Sequence, residues 1–545
     1  MTEATDVVIV GAGPVGLVLA LMLDRHGVDC VIIHDGLTTA DIPRGSTHNA
    51  RTMEHYRRLG IAADVRDLGL PVDHPTDVAY FTRYSAFELA RLTMPSAADV
   101  RRAVAESAKT DQTPEPLHRA NQMYVERLLL ERARRKPRIT LRLGCTATAV
   151  RQDDTGVTTD TDRGTLRSRY LVGCDGSESV VRAAIGASYR GDGPLDQNVL
   201  GRAATASHLR IPTLCRDYLG GRRAWSYWAV NGELVTNLIS LNGKDEFVLL
   251  TSSADPGGVP ALVRRAAGVD LEVEVMGHRP WTPGLALIAD RFADRRIAIA
   301  GDAAHLFTPT GGFGMNTGID DVANLSWKIG AMVAGWGGEG LLDSYEIERR
   351  PIAARNTAAA RRLNRNLGAF AFTDRLEEAS ADGAGERDRV GALLSTFGEQ
   401  FASIGVQLGA RYDDSPLTAG GGEPPPDTTA SYQPSSVPGG RAPHAWLTRS
   451  RRHGDSLFDV LGPAFTLLRL GSRPPETSGL EGAAARAGVP LVVRTVADAE
   501  VRDLYERDVV LIRPDQHVAW RGNAVPDDAS ELIDRVIGRV RQHSE

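Results

Sequence analysis

Three apolar runs in this sequence stop at glycines and acidic residues, and each stop has the make-up of a ligand-binding turn. Near the start, Asp6-Val7-Val8-Ile9-Val10 runs into Gly11-Ala12-Gly13-Pro14-Val15-Gly16, and an apolar helical pattern continues to Leu23. In this G-x-G-x-x-G spacing Gly11 makes the tight turn, Gly13 admits a pyrophosphate and Gly16 lets helix pack closely on strand. Further on, Tyr170 to Gly173 ends in Cys174-Asp175-Gly176, and a helix start carrying Arg182 follows. In the third run, Ile297 to Ala300 deliver Gly301-Asp302, a bend plus a carboxylate able to accept a ligand hydroxyl. After Pro309, the cluster Gly311-Gly312-Phe313-Gly314 opens a helix-patterned segment. Free N–H groups and the helix dipole favour negative charge there.

The elements that must hold these turns are strands followed by helices. The first turn sits in a βαβ frame whose second strand is predicted at Cys30 to Ile33. A ribose-binding Glu or Asp is expected at the end of that strand. His34 stands there with Asp35 next to it, so either His34 accepts the ribose hydroxyls or a small register shift brings in Asp35.

With all three turns present in this order, the chain resembles the single-component (class A) FAD-dependent aromatic hydroxylases, whose fingerprints are G-x-G-x-x-G, a DG segment and a GD segment. The likeness continues at Pro43-Arg44, at Ala50 to Glu54, at Gln122 with Glu126 to Leu129, and at Leu342 to Pro351. In the tail, Arg411 to Pro416, Pro438 to Leu447 and Ile512 to Arg521 look like the phenol and 2,4-dichlorophenol monooxygenase branch, which ends in a thioredoxin-like domain.

The resemblance implies an α/β fold: a Rossmann-like (glutathione-reductase-type) FAD-binding domain, an α+β substrate domain of mainly antiparallel sheet, and a thioredoxin-like C-terminal domain. Residues 1–75, 105–190 and 280–370 would form the first and 76–104 with 191–279 the second. Residues 371–419 would be a helical connection and 420–545 the third domain, without C-x-x-C. Strands are predicted at Leu234 to Ser240 and Glu246 to Thr251.

The same likeness implies FAD, a transient NADH or NADPH donor, and hydroxylation of a phenol-like or heteroaromatic ring through a flavin C4a-hydroperoxide. The cofactor would be held by Gly11, Gly13, Pro14, Val15, Gly16, His34 or Asp35, Arg44, Gln122, Asp175, Gly301 and Asp302. Pro309, Gly312, Gly314, Met315 and Asn316 would meet its ring, with Pro309 near the reacting carbon. His48 is the candidate base for a phenolic proton, since neutral imidazole accepts one near pH 7. Trp225, Tyr227, Trp228 and Phe313 are candidates to line the aromatic pocket.

Composition excludes other classes. A net charge of −6 with no basic stripe argues against nucleic acid. Val7 to Leu23 resembles a signal core, but the residues before it are not basic and glycines interrupt it. No other run has membrane-spanning length, so a soluble cytoplasmic protein is expected. Cys30, Cys145, Cys174 and Cys215 have neither C-x-x-C nor zinc spacing, and no metal is expected. Small aromatic substrate, O2 and NAD(P)H are the expected partners, with homo-oligomers left open. Two alternatives share the architecture: a flavoprotein dehydrogenase or oxidase of an aromatic or polyketide substrate, and a non-catalytic relative of the lipid-chaperoning escort proteins.

Overall fold

Val7, Val8, Ile9 and Val10 have no polar face, and a strand of that kind is stable where both sides of a parallel sheet are covered. The computed structural model describes residues 3–193, 204–252, 255–281, 285–366, 372–401, 403–448 and 454–539, and it places these four side chains in the largest core. Strand β1 (Glu3–Val10) leads through the glycine turn into helix α1 (Pro14–Arg25) and strand β2 (Cys30–His34). A two-residue strand β3 (Thr47–His48) enters α2 (Ala50–Arg58), and its antiparallel partner β4 (His118–Arg119) enters α3 (Gln122–Arg134). Strands β5 (Gly164–Gly173) and β6 (Ile297–Ile299) follow, then helices α4 (Phe313–Val333) and α5 (Gly340–Asn366).

The first sheet has eight strands. Its main path runs Ala293–Asp294, β6, β5, β1, β2, Ile139–Leu143, and the pairs from β6 to Ile139–Leu143 are parallel. Register sets Val10 beside both Ile33 and Gly173, and Gly173 beside Ile299. The turns after β1, β2, β5 and β6 therefore leave from one carboxyl edge, where ligands of open α/β sheets bind.

A second sheet of seven strands runs Glu274–Trp281, Ala204–Arg210, Glu246–Thr251, Val235–Ser240, Ser226–Val230, Val78–Phe81, Glu88–Leu92. Its pairs are antiparallel except that between Ser226–Val230 and Val78–Phe81. One face carries Tyr227, Phe247 and Leu249 against Leu262 and Val263 of the helix Val259–Ala267. Within the stretch expected as a helical connection, Leu376 and, on the helix Ala381–Ser395, Val390 and Leu394 pack with Val78, Tyr80 and Val230 on the other face of this sheet. The boundary placed at 370–371 lies outside the described residues.

The tail sheet runs Leu491–Val496, Phe465–Leu470, Val509–Ile512, Val518–Gly522. The first pair is parallel and is joined by the helix Ser478–Ala487; the other pairs are antiparallel, and the helix Ala529–Val536 follows. This is the thioredoxin-like order, and the tail contains no cysteine for disulfide chemistry.

Candidate active site

Two glycines of the first turn are fixed by contact and one by space. A Cβ on Gly11, which holds φ at +106°, would lie 2.3 Å from the Cys174 carbonyl oxygen, and one on Gly16 would lie 2.1 Å from that of Gly11. A Cβ on Gly13 would meet nothing within 4 Å, which leaves room for a phosphate in front of α1. Gly13 is the N-cap and offers no side chain, Pro14 has no N–H, and the amides of Val15 and Gly16 have no acceptor within the helix. At the end of β2, His34 Nδ1 lies 3.2 Å from Asp35 Oδ1, and that carboxylate also accepts from Gly36 N. Both residues reach solvent at the edge, so the ribose role stays divided between them.

The GD turn interlocks with α1 and α4. A Cβ on Gly318 would lie 2.8 Å from both Gly301 Cα and Val15 Cγ2. Asp302 is exposed to the cleft but ringed by protein. That enclosure raises its carboxyl pKa, against the pull of His305, Arg44 and Arg279. Arg44 itself is exposed near this group, while its carbonyl accepts from Asn121 Nδ2 at 3.1 Å.

The DG segment braces this turn rather than reaching for a ligand. The Arg182 guanidinium stacks 3.8 Å from the Tyr189 ring and donates to the Ala303 carbonyl at 3.2 Å, and Tyr189 Oη donates to the Asp302 carbonyl. Asp175 accepts from Ser179 Oγ at 2.6 Å and Val181 N at 3.2 Å, so its carboxylate caps the start of a short helix at the sheet edge. Gln122 is held in a similar way. Its amide donates to Glu126 Oε1 at 2.6 Å, and its backbone N–H holds the Gly45 carbonyl.

At the start of α4, Gly312 adopts φ +66° as N-cap, and a Cβ there would lie 2.9 Å from Thr47 Cβ. Pro309 is exposed just before it, and its carbonyl accepts from Gly312 N. The amides of Phe313, Gly314 and Met315 begin the helix without helical acceptors. Asn316 uses its side chain to clamp elements together: Oδ1 accepts from Asn49 N at 2.9 Å, and Nδ2 donates to the Thr47 and Gly312 carbonyls.

Four residues expected to serve the chemistry are placed elsewhere by the geometry. His48 is fully buried, its Nε2 donates to the Ala120 carbonyl and its Nδ1 accepts from Tyr56 Oη, so no nitrogen remains for a substrate proton. Burial also pushes its pKa down to about 4. Phe313 packs among Ala359, Ala360 and Leu363, because its ring fills the space beside Gly311 where a Cβ would stand. Tyr227 lies in the core behind the second sheet, stacked with Phe81. Trp228 stacks on Tyr80 among residues that meet the helix Ala381–Ser395.

Trp225 behaves differently. Its N–H and that of Ser226 both donate to the Asp77 carbonyl, a doubling that turns Trp225 away from Tyr227 although the two stand at alternating positions. It approaches a cavity of about 360 Å³ walled by Leu70, Met94, Leu117, Arg119 and Phe401, with its ring edge-on to Phe401. Sequence reading missed Arg119. An arginine just before a helix carries no periodic signal, and its neighbours come from residues 47, 225 and 401.

The donors at α1, the exposed carboxylate of Asp302 and the amides opening α4 suit a diphosphate, a polyol chain and an anionic ring edge along one carboxyl edge. That is the donor set FAD requires.

Comparison with known proteins points the same way. Residues 4–360 match the family described as FAD binding domain, and residues 435–540 match the aromatic-ring hydroxylase C-terminal family. The FAD-dependent monooxygenase apdD of Emericella nidulans is 30% identical over 98% of this chain and 90% of its own length. Phenol 2-monooxygenase of a Pseudomonas strain is 28% identical, covering 98% of this chain and 92% of that protein. Among solved structures, the rebeccamycin biosynthetic enzyme RebC with reduced flavin is 34% identical with a TM-score of 0.88, covering 99% of this chain and all of that one.

Proposed function

The chain belongs to the family of FAD-dependent aromatic-ring monooxygenases, and on that premise we propose that it hydroxylates a phenol-like or heteroaromatic ring using NAD(P)H and O2. The observation that supports this reading is the meeting of the G-x-G-x-x-G, DG and GD turns and the α4 N-terminus at one sheet edge. When bound, FAD supplies the relay of electrons and the activation of dioxygen.

The chain's own residues bind, orient and enclose. The amides of Val15 and Gly16 would hold the diphosphate, Asp302 would accept from the ribityl chain, and Arg44 would add positive charge beside it. The amides of Phe313, Gly314 and Met315, next to Pro309, would hold the negatively charged edge of a flavin ring. His118 and Arg119 of the β3–β4 ribbon, with Leu70, Met94 and Phe401, form walls of the aromatic cavity. His48 is not proposed as a base. The substrate's own hydroxyl activates its ring, and its proton has no assigned side-chain acceptor here.

The sequence-based domain division is kept as part of this proposal: the first sheet for FAD, the second for the aromatic substrate, the tail for structure. No helix among the described residues is long and apolar enough to cross a membrane. The four free cysteines support a reducing, cytoplasmic setting.

The test is oxygen labelling. Phenols, hydroxypyridines and polyketide-like aromatics are screened for stimulation of NAD(P)H oxidation, and the product formed under heavy dioxygen is weighed. One heavy oxygen atom per product is expected. An oxidised product without it would replace hydroxylation with dehydrogenation.

A further inference from the structure

Arginine stays protonated inside proteins, so a buried guanidinium needs a partner, and most in this structure have a carboxylate. Arg349 pairs with Asp320 and Asp321, Arg513 with Glu348 and Asp515, Arg441 with Glu54, and Arg66 with Glu115. Arg119 is 5% exposed and forms no ion pair among the described residues. Desolvation alone acts on it, lowering its pKa to about 9.

What surrounds Arg119 is aromatic. Its guanidinium carbon lies 4.0 Å from the centre of the Trp225 ring and 5.8 Å from that of Phe401. One terminal nitrogen, Nη1, donates to Thr47 Oγ1, which anchors the group to the strand beside Gly312. Its Nε has no partner, and no described residue bonds Nη2. Nε is enclosed by protein as well as unpartnered, so Nη2 is the nitrogen left to donate a charge-assisted hydrogen bond to an anion. Arg119 also lines the 360 Å³ cavity, whose wall includes His74. The His74 Nδ1 donates to the Pro75 carbonyl at 2.8 Å, and its Nε2 is left as an unpartnered acceptor.

We propose that Arg119 is the anion-binding residue of this cavity and that the aromatic substrate carries a carboxylate which it takes. The proposal rests on the hydroxylase reading above and narrows its substrate class to aromatic carboxylates. Trp225 and Phe401 hold the guanidinium flat and exclude water, so the incoming carboxylate supplies the counter-charge that the fold does not.

The experiment titrates the FAD-loaded full chain at pH 7.5 with 2-hydroxy-1-naphthoate and with neutral 2-naphthol, following the flavin absorbance. The carboxylate is expected to bind at least about tenfold more tightly than the naphthol. Arg119→Gln should abolish that preference while keeping its flavin, and Arg119→Lys should restore part of it. Equal binding of the two probes by the wild-type protein, or a preference that survives in Arg119→Gln, would overturn the proposal. Flavin occupancy read at 450 nm keeps the two readings apart. A wild-type chain that takes up no FAD defeats the hydroxylase reading, whereas a flavin-loaded chain without anion preference defeats only this one.

Discussion

Asp302 combines exposure, enclosure and two nearby arginines, which makes it the carboxylate best placed to grip a polyol. Asp302→Ala removes a charge-assisted acceptor worth about 1.5–3 kcal/mol, so FAD should bind about 10- to 150-fold more weakly. Titration of the apoprotein with FAD checks this, and unchanged occupancy at low FAD would refute it. Gly11, Gly13, Gly16 and Asp302 were legible in the sequence because a local spacing defines their roles. The surroundings of His48 and Phe313 were not. Their partners are the Tyr56 hydroxyl and Ala120 carbonyl, and the α5 alanines, and nothing about the residue type announces them.

Among elements, the β3–β4 ribbon is short but links both halves of the site, since Thr47 touches Gly312 on one side and Arg119 on the other. Asn316 clips this ribbon and α2 to α4. Asn316→Ala should leave Asn49 N buried without an acceptor and lower stability by about 1–3 kcal/mol. Calorimetry should record a lower Tm together with weaker FAD binding, and an unchanged Tm would show that the clip carries no weight. Strands β1, β2, β5 and β6 and helix α4 were readable from apolar runs and glycine stops, whereas the parallel strand Ile139–Leu143 was not. The face of Trp225 was not, because period-two alternation assumes an unbroken strand and the doubled Asp77 contact breaks it.

Across the whole molecule, four buried histidines and the half-buried His26 tie stability to pH. Desolvation lowers His26, His118 and His444 to about 3 and His48 and His55 to about 4. The unfolded chain protonates them near 6.5 while the fold keeps them neutral. Their contribution is therefore full above about pH 6.5 and is lost as pH falls below it, at up to about 1.4 kcal/mol per unit for each. Tm measured at constant ionic strength should drop between pH 6.5 and 5, before ordinary carboxylates titrate; a flat profile there would contradict the assignment. The tail strings that resembled phenol hydroxylases have a docking role that spacing alone did not reveal. Arg441 reaches Glu54 of α2, Arg51 donates to the Asp515 carbonyl and Gln516, and Arg513 grips Glu348 of α5. Glu348 leaves the ribosome 165 residues ahead of Arg513, a delay of roughly 8–30 s at ordinary rates of synthesis. During that interval the α4–α5 layer holds a carboxylate and Lys328 without their final arginine, so maturation of the flavin-binding half waits on the last part of the chain to be made.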